Sequence, residues 1–263
     1  MIALITGASS GIGEVTARRV AREPGARLVL VARRAERLEA LAAQLGVETL
    51  TLAEDLTDEG APARIEAAVR ERFGRLDLLV NNAGAGWRGR FADVGARNLR
   101  QTLELNLFAQ AALTEALLPL LRESAPSAIV NVASTAGRVA RPGSGGYSAS
   151  KFAFIGWSDA LHLEEKPNGV HVGIVNPGFV STEGFPQKEL TDNRATRWMV
   201  SSPEKVAEAI MEAGPGGKAE RYAPRPYALA AAARILLPRL TRRVLGGQAG
   251  DAMATSTKVD ERP

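Results

Sequence analysis

The sequence of 263 residues contains no cysteine and only two histidines. The absence of cysteine excludes disulfide bonds, thiolate nucleophiles and cysteine metal ligands. The two histidines, His162 and His171, lack the spacing of a metal-ligand pair, so no metal site is predicted. The apolar stretch from Tyr227 to Pro238 is short and contains Arg234, whereas a membrane-spanning helix needs about 20 apolar residues.

The charge pattern and the first residues also exclude several classes of protein. The formal net charge is +4, but the arginines are scattered among glutamates and aspartates, so no nucleic-acid partner is expected. The chain opens on the run Met-Ile-Ala-Leu-Ile-Thr-Gly, without the basic and long apolar segments of a secretory signal. A cytoplasmic protein is therefore expected.

Short apolar runs alternate with amphipathic stretches along the chain. Near-continuous apolar strands separated by helices are typical of a parallel sheet covered on both faces, so a doubly wound α/β fold is predicted. The runs predicted as strands are 2–6, 27–31, 48–52, 76–80, 128–132 and 170–175. With 45% hydrophobic residues the chain can bury one substantial core, and residues 1–247 are interpreted as a single domain.

The remaining segments are predicted from their apolar period and their capping residues. A long helix is expected from about Gly95 to Leu121, and a further helix after Ser202, because serine is a good cap and Pro203 suits the first helical position. Residues 179–200 lack a clear period and are predicted as a variable substrate loop. Residues 225–246 are predicted as an apolar helix with a basic end, and residues 248–263 as a disordered tail.

Tyr147 and Lys151 stand four residues apart, and Ser134 precedes Tyr147 by thirteen residues. A helix over residues 147–165 would place the phenol and the ammonium on one face. A neighbouring cation favours the phenolate, so Lys151 is expected to lower the pKa of Tyr147 from its usual value of about 10. The Ser134 hydroxyl could hold a carbonyl oxygen. The combination indicates general acid–base chemistry, although Tyr-x-x-x-Lys alone also occurs by chance on helices.

A glycine-rich turn spans Thr6 to Gly13, between a predicted strand and a predicted helix. Glycines allow close backbone approach, and the amides at a helix N-terminus attract a pyrophosphate. At the end of the second strand, where an acidic residue would accept the ribose 2′-hydroxyl of NAD, the chain has Arg33 and Arg34. Guanidinium groups pair with a 2′-phosphate, so NADP(H) is the predicted cofactor. The alternative is that both arginines are simply solvated at a helix start.

These residues resemble the short-chain dehydrogenase/reductase family, in its form of roughly 250 residues and with a Rossmann-type fold, over about residues 1–223. Six elements occur in the family's order. They are the turn at 6–13, Asp55-Leu56, Asn81-Asn82-Ala83-Gly84, Asn106, Ser134 with Tyr147 and Lys151, and Asn176-Pro177-Gly178.

The resemblance implies a role for each matching residue. Tyr147 would donate a proton to the substrate carbonyl, Ser134 would hold the carbonyl oxygen, and Lys151 would lower the pKa of Tyr147 and bind the nicotinamide ribose. Asn106 would hold a water that links Lys151 to solvent. The residues expected to contact the cofactor are Gly7, Ser9, Ser10, Gly11, Ile12, Gly13, Arg33, Arg34, Asp55, Leu56, Asn82, Ala83, Gly84, Tyr147, Lys151, Pro177, Gly178, Val180 and Thr182.

The substrate itself is less well defined by the sequence. Trp87, residues 137–146 and the loop at 179–200 are expected to face it and to form an apolar pocket without a charged anchor. Phe179 is the predicted substrate contact in that loop, with Phe185, Trp198 and Met199 as further candidates for the pocket lining.

The leading hypothesis is an NADP(H)-dependent oxidoreductase that transfers a hydride between the nicotinamide and a carbonyl or alcohol substrate, with reduction of a ketone or aldehyde as the expected direction. The alternatives are a non-catalytic NADP(H)-binding sensor, or a dehydratase or epimerase on the same scaffold. The C-terminal helix could cover the pocket, contact a second subunit or lie on a membrane surface, and the first two are favoured. The family resemblance implies a homodimer or homotetramer.

Overall fold

A computed structural model describes residues 1–182, 192 and 197–246 of the chain. Its main sheet has seven strands in the order β3-β2-β1-β4-β5-β6-β9, and every neighbouring pair is parallel. The strands are β1 Ile2–Thr6, β2 Arg27–Ala32, β3 Thr49–Ala53, β4 Leu78–Asn81, β5 Ser127–Val132, β6 Val170–Pro177 and β9 Glu220–Ala223. Two short strands, β7 Phe179–Val180 and β8 Val200–Ser201, pair separately.

Helices cover both faces of this sheet, which confirms the predicted doubly wound α/β fold. The described helices are α1 Gly11–Val20, α2 Ala35–Leu45, α3 Ala61–Phe73, α4 Phe91–Leu103, α5 Ala109–Glu123, α6 Gly145–Glu165, α7 Pro203–Ala213, α8 Tyr227–Leu236 and α9 Pro238–Leu245. Short 3₁₀ turns occupy Thr135–Gly137, Lys166–Asn168 and Arg197–Met199.

The core has two layers because successive side chains of a strand point to opposite faces. In β1, Ala3 and Ile5 pack with residues of α1, α2 and α7, whereas Ile2 and Leu4 pack with residues of α3 and α5. All five residues of β1 are buried. A strand covered on both faces must be apolar throughout, which is why the run reads as continuous rather than alternating.

The order of the strands reverses between β1 and β4, since β2 and β3 lie on one side and β4 to β9 on the other. In open parallel sheets a crevice forms at this point, beyond the carboxyl ends of the strands, and ligands bind there. The fold therefore places the expected binding crevice beside the turns that follow β1 and β4.

Three features of the fold differ from the sequence prediction. The single helix expected over Gly95 to Leu121 is α4 and α5, separated by a π turn at Glu104–Phe108. The strand β9 was missed, because its four residues, Glu-Arg-Tyr-Ala, carry little apolar signal. The C-terminal helix is two helices, because Pro238 begins a new one.

Other predictions near the C-terminus have different outcomes. The cap of α7 is confirmed, since the Ser202 hydroxyl accepts from the Lys205 amide at 3.4 Å. Among the described residues, no helix is both long and apolar enough to cross a membrane. Residues 183–191, 193–196 and 247–263 lie outside the described part, and with them most of the predicted loop, Phe185 and the predicted tail.

Candidate active site

A cavity of about 840 Å³ lies at the carboxyl ends of the parallel strands. In the half of the sheet formed by β1, β2 and β3, the turn after each strand lines the cavity. These turns contribute Ser9 after β1, Arg33 after β2 and Asp55 after β3. From the other half, Asn82 follows β4 and Ser134 follows β5. The residues predicted for catalysis, for cofactor binding and as the Phe179 substrate contact all line this cavity except Gly13 and Asn106, which lie behind its wall.

The glycine-rich turn after β1 is shaped by backbone crowding. Gly7 has φ of +65°, a conformation that favours glycine. A Cβ on Gly13 would collide with the carbonyl oxygen of Gly7 and would lie 2.8 Å from Nδ2 of Asn82. Gly13 therefore serves the packing of α1 against the sheet, and its predicted cofactor contact stays a prediction.

The start of α1 fits a phosphate. Ser10 is its N-cap residue, and its side chain makes no capping bond to the helix. The first amides of a helix have no intrahelical acceptor, and the helix dipole favours an anion beside them. Thr182, from the segment after β6, lies across the cavity mouth, where a Cβ on Gly11 would be 3.4 Å from its Cγ2. The residues present fit a dinucleotide pyrophosphate.

The two arginines after β2 take different positions. Arg34 folds back onto the turn and donates to the Ser9 hydroxyl at 2.9 Å and to the Ser10 hydroxyl at 2.8 Å. Arg33 is largely exposed, with its guanidinium 3.8 Å from the Asp55 carboxylate. The Thr57 amide and hydroxyl donate to Asp55 at 3.0 and 2.8 Å, and these bonds lower the pKa of its carboxyl. The cationic and anionic groups at this end of the cavity are thus held in place.

The Asn82-Ala83-Gly84 segment is tied to β1 through Thr6. The Thr6 hydroxyl donates to the Val80 carbonyl at 3.2 Å and accepts from the amides of Asn82 and Ala83, each at 2.9 Å. The Asn82 side chain returns a bond to the Thr6 carbonyl at 2.9 Å. These contacts join β1 to β4 at the crevice and fix the floor of the cavity.

Ser134, Tyr147 and Lys151 come together at the opposite end. The Ser134 hydroxyl lies beside the Tyr147 phenol, where it favours the phenolate and so acts to lower the pKa of Tyr147, and Ser134 is buried beside the Pro177 carbonyl. Ser134 also accepts from the Ala136 amide at 3.1 Å, which fixes the orientation of its side chain. A carbonyl oxygen at this point would meet two hydroxyl donors.

The expected effect of Lys151 on Tyr147 is not found. Burial raises the pKa of the Tyr147 phenol, and the lowering influences are the Ser134 hydrogen bond and the charges of Arg141 and Arg88. Lys151 is not among them, because its ammonium lies 5.9 Å from the phenol ring centroid and donates to the Val132 carbonyl at 2.9 Å. The sequence argument assumed that residues one helical turn apart interact directly, whereas this lysine side chain turns toward β5.

Lys151 is itself strongly perturbed. Its side chain is 4% exposed, and burial lowers the pKa of its ammonium to about 8. Its ammonium donates to the Val132 carbonyl, and the rings of Phe154 and Tyr147 lie 5.2 and 5.9 Å away. Such a group has unused donors for the hydroxyls of a bound sugar.

Asn106 lies in the π turn between α4 and α5, fully buried. Its Oδ1 accepts from the Ala85 amide, and its Nδ2 donates to the Ala85 carbonyl and the Ser150 hydroxyl, at 2.9, 2.9 and 3.0 Å. The side chain thus braces the loop after β4 against α6. No direct bond from Asn106 to Lys151 occurs among these contacts, so the proposed water link stays a prediction.

The wall after β6 consists of Pro177, Gly178, Phe179 and Val180. Gly178 has no room for a side chain, because a Cβ there would collide with the ring of Tyr227 at the start of α8. The Tyr227 hydroxyl donates to the Met199 carbonyl at 3.2 Å. The beginning of the C-terminal helix therefore packs behind the cavity wall.

The expected substrate lining is corrected in two respects. Trp198 and Met199 do not line the cavity, and Trp198 instead packs beside Tyr227, with ring centroids 6.1 Å apart. The lining is also not free of charge, because it includes Arg88 and Arg141. Neither arginine was predicted from the sequence. Arg88 directly follows Trp87, and Arg141 lies within residues 137–146, both of which were expected to face the substrate.

The chain belongs to the short-chain dehydrogenase/reductase family and is an oxidoreductase of that family. The family model described as short chain dehydrogenase matches residues 1–193. A curated relative, dehydrogenase/reductase SDR family member 7B from Bos taurus, is 33% identical over 94% of this chain and 81% of its own length.

Two solved structures extend this similarity to the fold. A short-chain dehydrogenase from Streptomyces avermitilis is 31% identical, covers 92% of this chain and 96% of its own, and has a TM-score of 0.79. L-Sorbose reductase from Gluconobacter frateurii, in complex with NADPH and L-sorbose, is 28% identical over 84% of this chain and 93% of its own, with a TM-score of 0.74.

Proposed function

We propose that the protein is an NADP(H)-dependent reductase that converts a ketone or aldehyde to an alcohol. The observation that carries the proposal is one continuous cavity lined by the glycine-rich turn at one end and by the neighbouring Ser134 and Tyr147 side chains at the other. The turn would hold the pyrophosphate of a nicotinamide dinucleotide, Ser134 and Tyr147 would hold the substrate carbonyl, and the cofactor would supply the hydride when bound.

The residues of this chain would supply the proton and hold the oxygen. Burial raises the pKa of Tyr147, so its phenol is protonated near neutrality, as a proton donor must be. Ser134 would donate to the same carbonyl oxygen and fix its position. The nearby charges of Arg141 and Arg88 favour the phenolate that remains once the proton has moved. Lys151 would bind the ribose hydroxyls.

The preference for NADP(H) over NAD(H) rests on Arg34 and Arg33. Arg34 is held beside the turn by Ser9 and Ser10, and no acidic residue stands at the end of β2 to accept from a ribose 2′-hydroxyl. The NADPH complex of L-sorbose reductase is consistent with this choice. We propose that both arginines contact the 2′-phosphate.

The test follows NADPH and NADH oxidation against ketones, aldehydes and diketones. Tyr147→Phe keeps the ring but removes the proton donor, and we expect it to lower kcat by at least about a hundredfold, the size of general acid catalysis. Arg34→Gln should raise the KM for NADPH and leave that for NADH nearly unchanged, whereas the matched variant of exposed Arg22, Arg22→Gln, should change neither.

The outcomes separate the alternatives. Equal use of both cofactors would refute the 2′-phosphate assignment. NADPH binding without turnover of any carbonyl would favour a non-catalytic sensor. Loss of water from a hydroxylated substrate, or inversion of its carbinol without net NADPH oxidation, would favour a dehydratase or epimerase.

A further inference from the structure

Two arginines line the end of the cavity that holds Tyr147. Arg88 lies in the loop between β4 and α4, and Arg141 in the loop before α6. Both side chains are only partly exposed. Both residues line the same cavity as Tyr147, and their charges favour the phenolate form of its hydroxyl.

The two loops that carry these arginines are joined by backbone hydrogen bonding. The Gly89 amide donates to the Gly143 carbonyl at 2.9 Å, and Gly89 and Ser144 form a β-bridge. On the other side, Asn98 of α4 donates to the Trp87 carbonyl at 3.0 Å. The pair of cations therefore stands on backbone that is hydrogen-bonded on both sides, which is the requirement for a preformed site.

The guanidinium of Arg141 has N–H donors available for a ligand. Its guanidinium stacks over the ring of Phe179, 4.6 Å from the centroid, which orients the group without using its N–H bonds. Within the described part of the chain no carboxylate pairs with Arg141, and the carboxylates that line the cavity are Glu54, Asp55 and the exposed Glu104. Burial lowers the pKa of the Arg141 guanidinium, as expected for a cation with no compensating anion.

We infer that Arg88 and Arg141 form an anion-binding subsite, and that the carbonyl substrate carries a carboxylate or phosphate group beside its reacting carbonyl. This inference rests on the proposed reductase function and deepens it. The planar guanidinium binds both kinds of anion through paired N–H donors.

The anionic group would anchor the substrate without reacting. The carbonyl carbon gains the hydride from NADPH, the carbonyl oxygen gains the Tyr147 proton, and the products are the alcohol and NADP⁺. The anchor fixes the distance between the anion and the carbonyl, so substrates with different spacing between the two groups should differ in rate.

The experiment uses matched substrate pairs with NADPH. One arm compares oxo-carboxylates with their methyl esters, and another compares hydroxyketones with their phosphate monoesters, each with one to four carbons between the carbonyl and the anionic group. We expect the anionic member to have the higher kcat/KM by about tenfold or more in at least one arm, and the arm concerned distinguishes carboxylate from phosphate. High salt should reduce this preference.

Arg141→Gln tests the residue. The ratio of anionic to neutral kcat/KM should fall by about ten- to a hundredfold, mainly through KM, whereas Arg141→Lys should keep part of the preference and Arg22→Gln should keep all of it. Both members of a pair use the same proton donor, so any effect of the substitution on Tyr147 cancels in the ratio.

Several outcomes would overturn the inference. Equal kcat/KM for anionic and neutral partners in all arms would refute it while leaving the reductase function intact. An unchanged ratio in Arg141→Gln would also refute it, as would a raised KM for NADPH alone, since that would assign the arginine to the cofactor. If no carbonyl compound is reduced, the proposed function fails, and calorimetry on the NADP⁺ complex decides the subsite: hexanoate or hexyl phosphate should bind wild type and not Arg141→Gln, and absence of binding refutes the site.

Discussion

Lys151→Met should change how the stability of the protein depends on pH. In the folded protein without cofactor Lys151 is 4% exposed, its ammonium donates to one carbonyl, and burial lowers the pKa of the ammonium to about 8. The unfolded chain has a lysine pKa of about 10.4. Between these two values the unfolded state binds a proton that the folded state has released, so the free energy of unfolding rises with pH in that window.

The size of the effect follows from the shift. A difference of about 2.4 units at 1.36 kcal/mol per unit gives about 3 kcal/mol, which wild type gains as the pH rises from below 8 to above 10.4. The methionine side chain does not titrate. Below pH 8 the variant should be the more stable protein, or nearly equal, because it avoids a buried charge but leaves the Val132 carbonyl without a donor, at about 1–3 kcal/mol.

Urea unfolding at intervals from pH 7 to 10.5, followed by circular dichroism, measures both proteins under the same conditions. From pH 7 to 10.5 the unfolding free energy of wild type should increase by about 3 kcal/mol relative to that of Lys151→Met. Lys205→Met, at an exposed position in α7, is the control, and its unfolding free energy should depend on pH in the same way as that of wild type. A Lys151→Met curve parallel to wild type would show that the buried ammonium carries no such cost.

Three further predictions concern packing and buried pairs. Gly13→Ala should abolish NADPH binding measured by fluorescence, because the new methyl group collides with Gly7; unchanged binding would contradict this. Asn106→Ala should lower the unfolding free energy by about 2–5 kcal/mol through lost buried hydrogen bonds, and a loss below 1 kcal/mol would count against it. Glu165→Gln breaks a pair with Arg122 that lowers the pKa of this carboxyl. Above about pH 4.3 wild type should have the higher free energy of unfolding, and the difference from Glu165→Gln should disappear as the pH falls through the lowered pKa. A difference that does not depend on pH would refute this.

Much of the site could be predicted because its residues follow strands. Apolar runs locate the strands, and in a parallel sheet their carboxyl ends share one edge, so Ser9, Asp55 and Ser134 had to lie near one crevice. The directions of the side chains could not be predicted in this way. The helical spacing of Tyr147 and Lys151 was correct, but the lysine turns to the Val132 carbonyl, a contact that depends on how α6 packs on β5.

The arginines of the substrate end could not be singled out from the sequence for a related reason. Arg88 and Arg141 are far apart in the chain and stand among many other arginines. What brings them together is a bridge between two loops at Gly89 and Ser144, and no local pattern encodes such a pairing. Likewise β9 is recognisable only by its pairing with β6, since its four residues carry little apolar signal.

The contact between Gly178 and Tyr227 makes these two positions dependent on each other in the evolution of the chain. Any larger residue at 178 needs a smaller one at 227, because the ring already fills the place of the missing side chain. A change at 178 therefore becomes tolerable only after, or together with, a change at 227. Descendants of this sequence that adapt to a different substrate by enlarging the wall after β6 would have to alter the start of α8 as well.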